Sequence, residues 1–137
     1  MKKKRKRLIT YPKLKKKLWD TFSIYIRRRD QGKCYTCGKV GNWKYDMDAG
    51  HYVPKNRGGL LLYFDERAVN SQCTYCNRFL HGNLDSYAIA LRKQYGDSIL
   101  EELAELKRKG HGLKLPRSWF VERIEYYQNK INELDNG

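Results

Sequence analysis

The chain has 137 residues, which suits one domain, or one domain with helical extensions, and excludes two full enzyme domains. It carries 29 Lys and Arg against 15 Asp and Glu, a formal net charge of +14, which indicates a polyanionic partner. Residues 1–33 hold a net charge of +12 and residues 34–137 only +2. Because 40% of all residues are hydrophobic and 13% aromatic, we expect a folded core and not a disordered tail.

Neither export nor membrane insertion is expected. No apolar run approaches the roughly 18 residues that a membrane span needs. The basic start of the chain is not followed by the apolar region of a signal peptide. We therefore expect a soluble, cytoplasmic protein without a membrane partner.

The N-terminal part is predicted to be a basic arm, residues 1–11, followed by a helix. Pro12 suits a first helical turn, and apolar residues from Leu14 to Ile26 recur at helical spacing up to about Arg29. The remaining face is basic, so it is either a surface for the phosphate backbone or a solvated helix face. The basic residues that would contact phosphate are Lys2, Lys3, Lys4, Arg5, Lys6, Arg7, Lys13, Lys15, Lys16, Lys17, Arg27 and Arg28.

Four cysteines form two pairs, Cys34-x2-Cys37 and Cys73-x2-Cys76. In a reducing cytosol such pairs more often hold metal than form disulfides, and four thiolates are typical of tetrahedral zinc. We predict a structural zinc ion with no open coordination position. It would stabilise the small core by joining the turn at 32–38 to a helix that begins near residue 76.

A second polar cluster is predicted beside the cysteines. Glycines between residues 32 and 62 favour turns and short strands, with a hairpin around 45–54 that contains Asp48 and His51. Residues 67–82 are predicted as a loop entering a short helix, in which Asn77 and His81 have the i, i+4 spacing of metal ligands. A regular strand would place Asp48 and His51 on opposite sides, so we expect a bend at Gly50. Each residue alone also fits a turn, a cap or an ordinary surface position.

The C-terminal part is predicted to consist of helices. An apolar stripe from Leu84 to Tyr95 ends at Gly96, and Ser98 with Glu101 forms a predicted capping box for the next helix. A break at 110–112 and Pro116 precede the last helix. Residues 97–137 would be a helical extension that either caps the core or serves as the dimerisation arm of a homodimer. The stripe of the last helix contains Phe120, Ile124, Tyr127, Ile131 and Leu134.

The order of polar residues resembles a known nuclease motif. His51, Asn70, and Asn77 directly after a Cys-x2-Cys pair are similar to the His-Asn-His (ββα-metal) motif, and their arrangement with cysteine pairs resembles the phage resolvase endonuclease VII. A closer resemblance, over roughly residues 14–105, is to the lambdoid phage NinG (Rap) recombination family. The segments that carry it are Ala49-Gly50-His51-Tyr52, Asn70-x-Gln72-Cys73-x2-Cys76-Asn77, Gly82-Asn83 and Tyr87.

The resemblance implies an α+β fold. A small ββα-metal core with a four-cysteine zinc site would occupy residues 12–96 together with the N-terminal helix, and the C-terminal helices would flank it. His51 would be the general base, and Mg²⁺ or Mn²⁺ would bind Asn77, Asp48 and His81. Asn70 would hold His51 in its working orientation. Many enzymes of this class have a metal-binding Asp or His directly before the base, where this chain has Gly50, so Asp48 is taken as the replacement.

The resemblance also implies a function. The protein would be a metal-dependent endonuclease that hydrolyses DNA phosphodiester bonds in branched recombination intermediates, such as Holliday junctions or D-loops. It would act as a phage protein in the bacterial host cytoplasm. Two alternatives remain open at this point, a homing or nicking endonuclease directed to a sequence, and a zinc-ribbon nucleic-acid-binding module without catalysis.

Overall fold

The computed structural model describes residues 8–136 and has a mixed α+β fold. The basic residues predicted at positions 2–7 lie outside the described part. Within it, five α-helices surround a two-stranded antiparallel sheet and one π-helical turn. None of the helices between residues 8 and 136 is long and apolar enough to cross a membrane. The elements are α1 (Tyr11–Arg29), β1 (Met47–His51), α2 (Gly59–Tyr63), β2 (Val69–Cys73), the π-helical turn (Tyr75–Phe79), α3 (Leu84–Tyr95), α4 (Ile99–Gly110) and α5 (Arg117–Asn136).

The predicted N-terminal helix is confirmed, and its apolar stripe packs against α5. The rings of Phe22 in α1 and Tyr127 in α5 meet edge to face at 4.9 Å. The apolar stripe of α5 thus packs against α1 of the same chain and caps it. Leu134, near the end of this stripe, stays exposed. The buried residues of this layer are Leu14, Leu18, Phe22 and Ile26 from α1, and Phe120, Ile124 and Tyr127 from α5.

The hairpin predicted around 45–54 is wrong. β1 instead pairs with β2, in a register that runs from Met47 opposite Cys73 to His51 opposite Val69. Pro54, which has no amide hydrogen to donate to a ladder, follows β1 and turns the chain away. The β1–β2 pairing is regular from Met47 to His51, so the bend predicted at Gly50 does not appear in the register.

For residues 67–82 the predicted loop is wrong, and the short helix that it was expected to enter is present as the π-helical turn Tyr75–Phe79. Val69–Cys73 is a fully buried strand, and its polar residues Asn70, Ser71 and Gln72 do not give the alternating pattern that would have indicated one. The π-helical turn that follows is closed by a hydrogen bond from the Leu80 amide to the Tyr75 carbonyl, at 2.9 Å. His81 lies beyond this turn with a φ of +50°, so it is not the i+4 partner of Asn77 on one helix.

The C-terminal helices follow the predicted bounds closely. α3 ends at Gly96, whose φ of +97° is the left-handed conformation expected of a glycine there. Ser98 precedes α4 but makes no side-chain hydrogen bond to it, so the predicted capping box does not form. Ile99 and Leu103 of α4 share a second buried cluster with Tyr87 of α3. This cluster lies next to β2, because Ala68 belongs to it.

Candidate active site

The four cysteines lie together, although their two pairs are far apart in the sequence. Their sulfur atoms are all within 4.8 Å of one another, and Cys37 Sγ is 3.7 Å from Cys73 Sγ. Tetrahedral zinc with Zn–S bonds of about 2.3 Å requires sulfur separations of about 3.8 Å. Cys34, Cys73 and Cys76 are buried and Cys37 is exposed. This arrangement could hold a metal ion that joins the 34–37 turn, the end of β2 and the π-helical turn.

The acidity of the thiols is uneven. Burial opposes ionisation of Cys34, but hydrogen bonds from Thr36 and nearby backbone groups outweigh it and lower the pKa of Cys34 to about 6. Burial and the neighbouring thiols raise the pKa of Cys37 to about 12. If all four thiols ionise, the sulfur atoms repel one another at this distance. A divalent cation bound among them would offset that electrostatic repulsion. The donor set therefore fits a cation bound by sulfur.

His51 ends β1 and is held between two aromatic rings. The ring of Trp19 from α1 stacks on it at 5.0 Å, and the ring of Tyr63 lies 4.7 Å away. His51 Nε2 is 3.0 Å from the backbone carbonyl oxygen of Tyr63. Because a carbonyl oxygen only accepts hydrogen bonds, Nε2 carries the proton and donates it. The remaining nitrogen, Nδ1, therefore has a free lone pair.

The surroundings of His51 keep it neutral. Burial lowers the pKa of His51 to about 4; the hydrogen bond to Tyr63 works against this shift, and the charges of Lys55 and Lys15 reinforce it. Nδ1 is buried and has no hydrogen-bond partner among residues 8–136. At neutral pH His51 is thus a neutral imidazole, protonated at Nε2 only, and no other described side chain binds its Nδ1.

Asp48 and Asn77 lie in contact. Asn77 Nδ2 is 3.1 Å from Asp48 Oδ2, although the two residues are 29 positions apart. Arg78 also binds Asp48, with two hydrogen bonds of 3.0 Å to its two carboxylate oxygens. A carboxylate and an amide oxygen suit Mg²⁺ or Mn²⁺. The amide of Asn77 would have to turn its oxygen toward the ion, and Arg78 would have to release Asp48.

A surface cavity of about 310 Å³ lies beside this pair. His51, Asn77 and His81 all line it, together with Lys55 and the turn around Gly82. The structure therefore brings three of the predicted residues to one cavity, whereas Asp48 does not line it and contacts one of them, Asn77. His81 is exposed and contributes from the turn that follows the π-helical turn, not from the helix that was predicted.

Asn70 acts on the strand that carries His51, and not on His51 itself. Asn70 Nδ2 donates to the hydroxyl of Tyr87, at 3.1 Å, and that hydroxyl donates to the carbonyl oxygen of Gly50, at 2.7 Å. Arg29 donates to Asn70 Oδ1 at 2.9 Å. All of these partners except Arg29 are buried. These hydrogen bonds hold the backbone of β1 at Gly50, the residue directly before His51.

The glycine at position 50 has a packing reason. A Cβ atom added to Gly50 would lie 1.8 Å from Gln72 Oε1 and 2.7 Å from its Cδ. Gln72 is fully buried and is held by hydrogen bonds to Thr36 and to the Gly82 carbonyl oxygen. Any larger side chain at position 50 would displace Gln72, so a metal ligand directly before His51 does not fit this sheet.

The basic residues predicted on α1 differ in their surroundings. Lys16 pairs with Asp20 at the surface, and Arg28 pairs with Asp135 of α5. Arg27 and Arg28 both lie over the ring of Trp43. Lys13 and Lys17 are exposed. Lys15 has its ammonium 4.6 Å from the centre of the Tyr63 ring, next to His51.

A family model described as Bacteriophage Lambda NinG protein matches residues 1–137. The chain belongs to the NinG family. Protein ninG of Escherichia phage 933W is 32% identical over 120 residues, which are 84% of this chain and 55% of that protein. The proteins ninG of Salmonella phage P22 and Escherichia phage lambda are 32% and 30% identical, over 82% and 84% of this chain and 53% and 54% of their own.

The chain thus spans about half the length of the curated NinG relatives that it matches. No solved structure matches it. The resemblance predicted from the sequence is confirmed at the level of the NinG family.

Several residues of the site in this NinG chain were not predicted. Tyr63 and Lys55 lie in the segment between the strands, where glycines predict turns but do not indicate which residues face the site. Arg78 directly follows the predicted ligand Asn77, and no local pattern indicates its contact with Asp48. A positive residue directly after a predicted metal ligand is still a sequence signal that could have identified Arg78 as a residue of the site. The position of Trp19 over His51, by contrast, depends on how α1 packs on the sheet.

Proposed function

We propose that this NinG chain is a metal-dependent DNA endonuclease that hydrolyses phosphodiester bonds in a ββα-metal core. The observation that carries the proposal is the state of His51. Its Nε2 atom donates to the Tyr63 carbonyl, which leaves Nδ1 as a base beside a cavity that Asn77 also lines. The strands β1 and β2 and the π-helical turn would be the ββα unit.

His51 would take a proton from the water that attacks the phosphorus atom. Its lowered pKa keeps the imidazole neutral, and therefore competent as a base, over the whole neutral range. The hydrogen bond to Tyr63 and the stacked Trp19 ring would hold the imidazole in one orientation. Asn70 would position β1 through the hydroxyl of Tyr87 and the carbonyl of Gly50.

Asp48 and Asn77 would hold the divalent metal, with His81 as the third predicted ligand. When bound, Mg²⁺ or Mn²⁺ supplies positive charge that stabilises the developing charge on the phosphate and on the leaving 3′ oxygen. Arg78 would keep Asp48 neutralised before the metal binds, because it now forms two hydrogen bonds with that carboxylate. The four cysteines would hold a structural zinc ion.

Lys15 and Lys55 would bind the phosphates next to the cleaved bond. Lys55 has its ammonium 4.9 Å from the centre of the Trp19 ring, and Lys15 lies over Tyr63, so both flank His51. Neither forms a salt bridge within residues 8–136. Two lysines without a carboxylate partner beside a general base favour an anionic substrate. The other basic residues of the arm and of α1 would extend this contact along the DNA.

The substrate would be branched DNA in phage recombination, inside the host cytoplasm. The contacts proposed for Lys15, Lys55 and the metal would be made to phosphates, and contacts of this kind carry no sequence information. A net charge of +12 in the first 33 residues suits binding that tolerates many sequences. A homodimer would supply two active sites for a symmetric cut.

One assay tests the proposal. Matched four-way, D-loop and linear DNAs would be incubated with Mg²⁺, Mn²⁺ or EDTA and with the parent, His51→Ala or His111→Ala protein. His111, exposed after α4, is the matched control. We expect metal-dependent cleavage that favours branched DNA, is retained in His111→Ala and is lost in His51→Ala.

The other outcomes of this assay are distinct. Cleavage by His51→Ala at the parent rate would indicate that the site does not act as assigned. No cleavage by any protein would favour a zinc-ribbon binding module. A preference for one sequence in linear DNA over a four-way branch would favour a homing or nicking endonuclease.

A further inference from the structure

Two exposed aromatic rings stand on the π-helical turn, and no described residue covers them. Tyr75 is 61% exposed and Phe79 is 70% exposed. Their rings lie nearly parallel, with centres 6.1 Å apart and an angle of 26° between their planes. Leu80 beside them is also exposed. An apolar group of this kind on a charged protein indicates a binding surface.

The rings belong to the same turn as the candidate active site. Asn77 and Arg78 lie between Tyr75 and Phe79 in the sequence; Asn77 lines the His51 cavity and Arg78 binds Asp48. The cysteines hold this turn in place, since Cys76 belongs to it. The two rings and the cavity-lining Asn77 are thus on one five-residue turn, although the rings themselves do not line the cavity.

We infer that Tyr75 and Phe79 form a stacking surface for an unpaired base of the DNA strand next to the cleaved bond. Aromatic faces bind bases of any sequence. Arg78, two-thirds exposed, would add positive charge beside them once Asp48 binds the metal and releases it. The inference rests on the proposed nuclease function and deepens it, because it names the feature of the DNA that would be selected.

The selection follows from the structure of DNA. In an intact duplex each base face is already stacked on its neighbours, so an aromatic ring gains contact only if a base is first unstacked. A base at a branch point or in a single-stranded segment has a free face and no such cost. The ring pair would therefore favour branched or splayed DNA over linear duplex without reading a sequence.

The test measures binding without cleavage. The full chain carrying His51→Ala, without added Mg²⁺, would be mixed with a splayed fork that has the fluorescent base 2-aminopurine at an unpaired position beside the branch. Tyr75→Ala and Phe79→Ala, singly and together, would be compared with Tyr126→Ala, an exposed tyrosine on α5. Tyr75→Phe and Phe79→Tyr keep both rings. Both side chains are exposed, so thermal unfolding of each variant should match that of the parent.

We expect the base to be quenched by the parent, by Tyr126→Ala and by the two conservative variants. The double alanine variant should lose the quenching and bind the fork about tenfold more weakly, with duplex affinity changed by less than about twofold. Unchanged quenching in the double variant would overturn the inference, as would equal losses on fork and duplex. So would unchanged DNA binding with a reduced mass in sedimentation, since the rings would then be a protein interface. Because binding is measured without cleavage, this result is independent of whether His51 is a base.

Discussion

His51 at the end of β1 donates a hydrogen bond to the carbonyl oxygen of Tyr63 at the end of α2, over 3.0 Å. The last carbonyl oxygens of a helix have no partner within it, so this bond satisfies one of them while it fixes which histidine nitrogen carries the proton. The short helix α2, which lies between the paired strands in the sequence, thus determines which tautomer the candidate base adopts.

The buried histidine predicts a loss of stability in acid. Because the pKa of His51 is about 4 in the folded chain and about 6.5 when unfolded, the unfolded chain binds the extra proton as the pH falls between these values. The free energy of unfolding should fall by roughly 3 kcal/mol from this group, and His51→Gln should lack that part. Urea unfolding of both proteins at several pH values measures the difference; equal pH dependences would contradict it.

The same pKa predicts the acid limb of cleavage. If neutral His51 is the base, kcat/KM should fall only below about pH 4 to 5, because this parameter reports the pKa of the free enzyme. An exposed histidine would give a limb near pH 6.5. Initial rates on a branched DNA over this range, with stability checked at each pH, decide between them.

The Tyr87 hydroxyl joins Asn70 to the backbone of β1, so we expect its removal to destabilise the fold. Tyr87→Phe removes the donor to the buried carbonyl of Gly50 and the acceptor of Asn70, so it should lower the free energy of unfolding by about 1 to 3 kcal/mol. Tyr35→Phe loses a single hydrogen bond to Gln94 near the surface and should change it by less than about 1 kcal/mol. Urea unfolding midpoints, compared for curves with equal m-values, give the change in free energy of unfolding for both variants. Equal effects of the two changes would argue against the network.

The cysteine cluster predicts that metal and fold are lost together. Cys34→Ser should prevent the predicted zinc binding and unfold the region that joins the 34–37 turn to β2, as should a strong chelator on the parent. His51→Ala should keep both zinc and fold. Elemental analysis and circular dichroism follow the two quantities. A folded, metal-free Cys34→Ser protein with the parent's melting temperature would exclude a structural role, and loss of zinc from His51→Ala would show that the two proposed sites are not separate.

The pair between Arg78 and Asp48 predicts competition with the divalent metal. Arg78→Gln should strengthen Mn²⁺ binding by up to about fivefold, because an exposed ion pair contributes at most about 1 kcal/mol. Arg108→Gln, which breaks a surface pair with Glu105, is the control and should have no effect. Titration calorimetry without DNA measures the affinity directly. A weaker affinity in Arg78→Gln would mean that Asp48 is not a ligand.

The basic arm predicts a change in salt dependence. Deleting residues 2–7 should weaken DNA binding and reduce the slope of log affinity against log salt by up to about 5, since six charges are removed. Changing the same six residues to Gln should give the same slope, which separates charge from length. Cleavage at low salt should be retained. A slope equal to that of the parent would show that the arm does not contact phosphate.

The sequence by itself determined the parts of this NinG protein that depend on local patterns. The apolar stripes of α1, α3 and α5, the stop at Gly96, the two cysteine pairs and the concentration of charge before residue 34 all follow from spacing and composition. These features need no knowledge of distant contacts. The family resemblance drew attention to His51, Asn70 and Asn77, which no periodicity would have distinguished.

Only the tertiary structure decided how those residues meet. β1 pairs with a strand 22 positions away whose central residues are polar and buried, and this pairing brings Asp48 to Asn77 and places Gly50 against Gln72. The tautomer and pKa of His51 depend on Tyr63 and on burial under Trp19, which come from two other elements. Such properties arise from contacts between segments remote in the chain, and burial and hydrogen bonding act through space and leave no local pattern in the sequence.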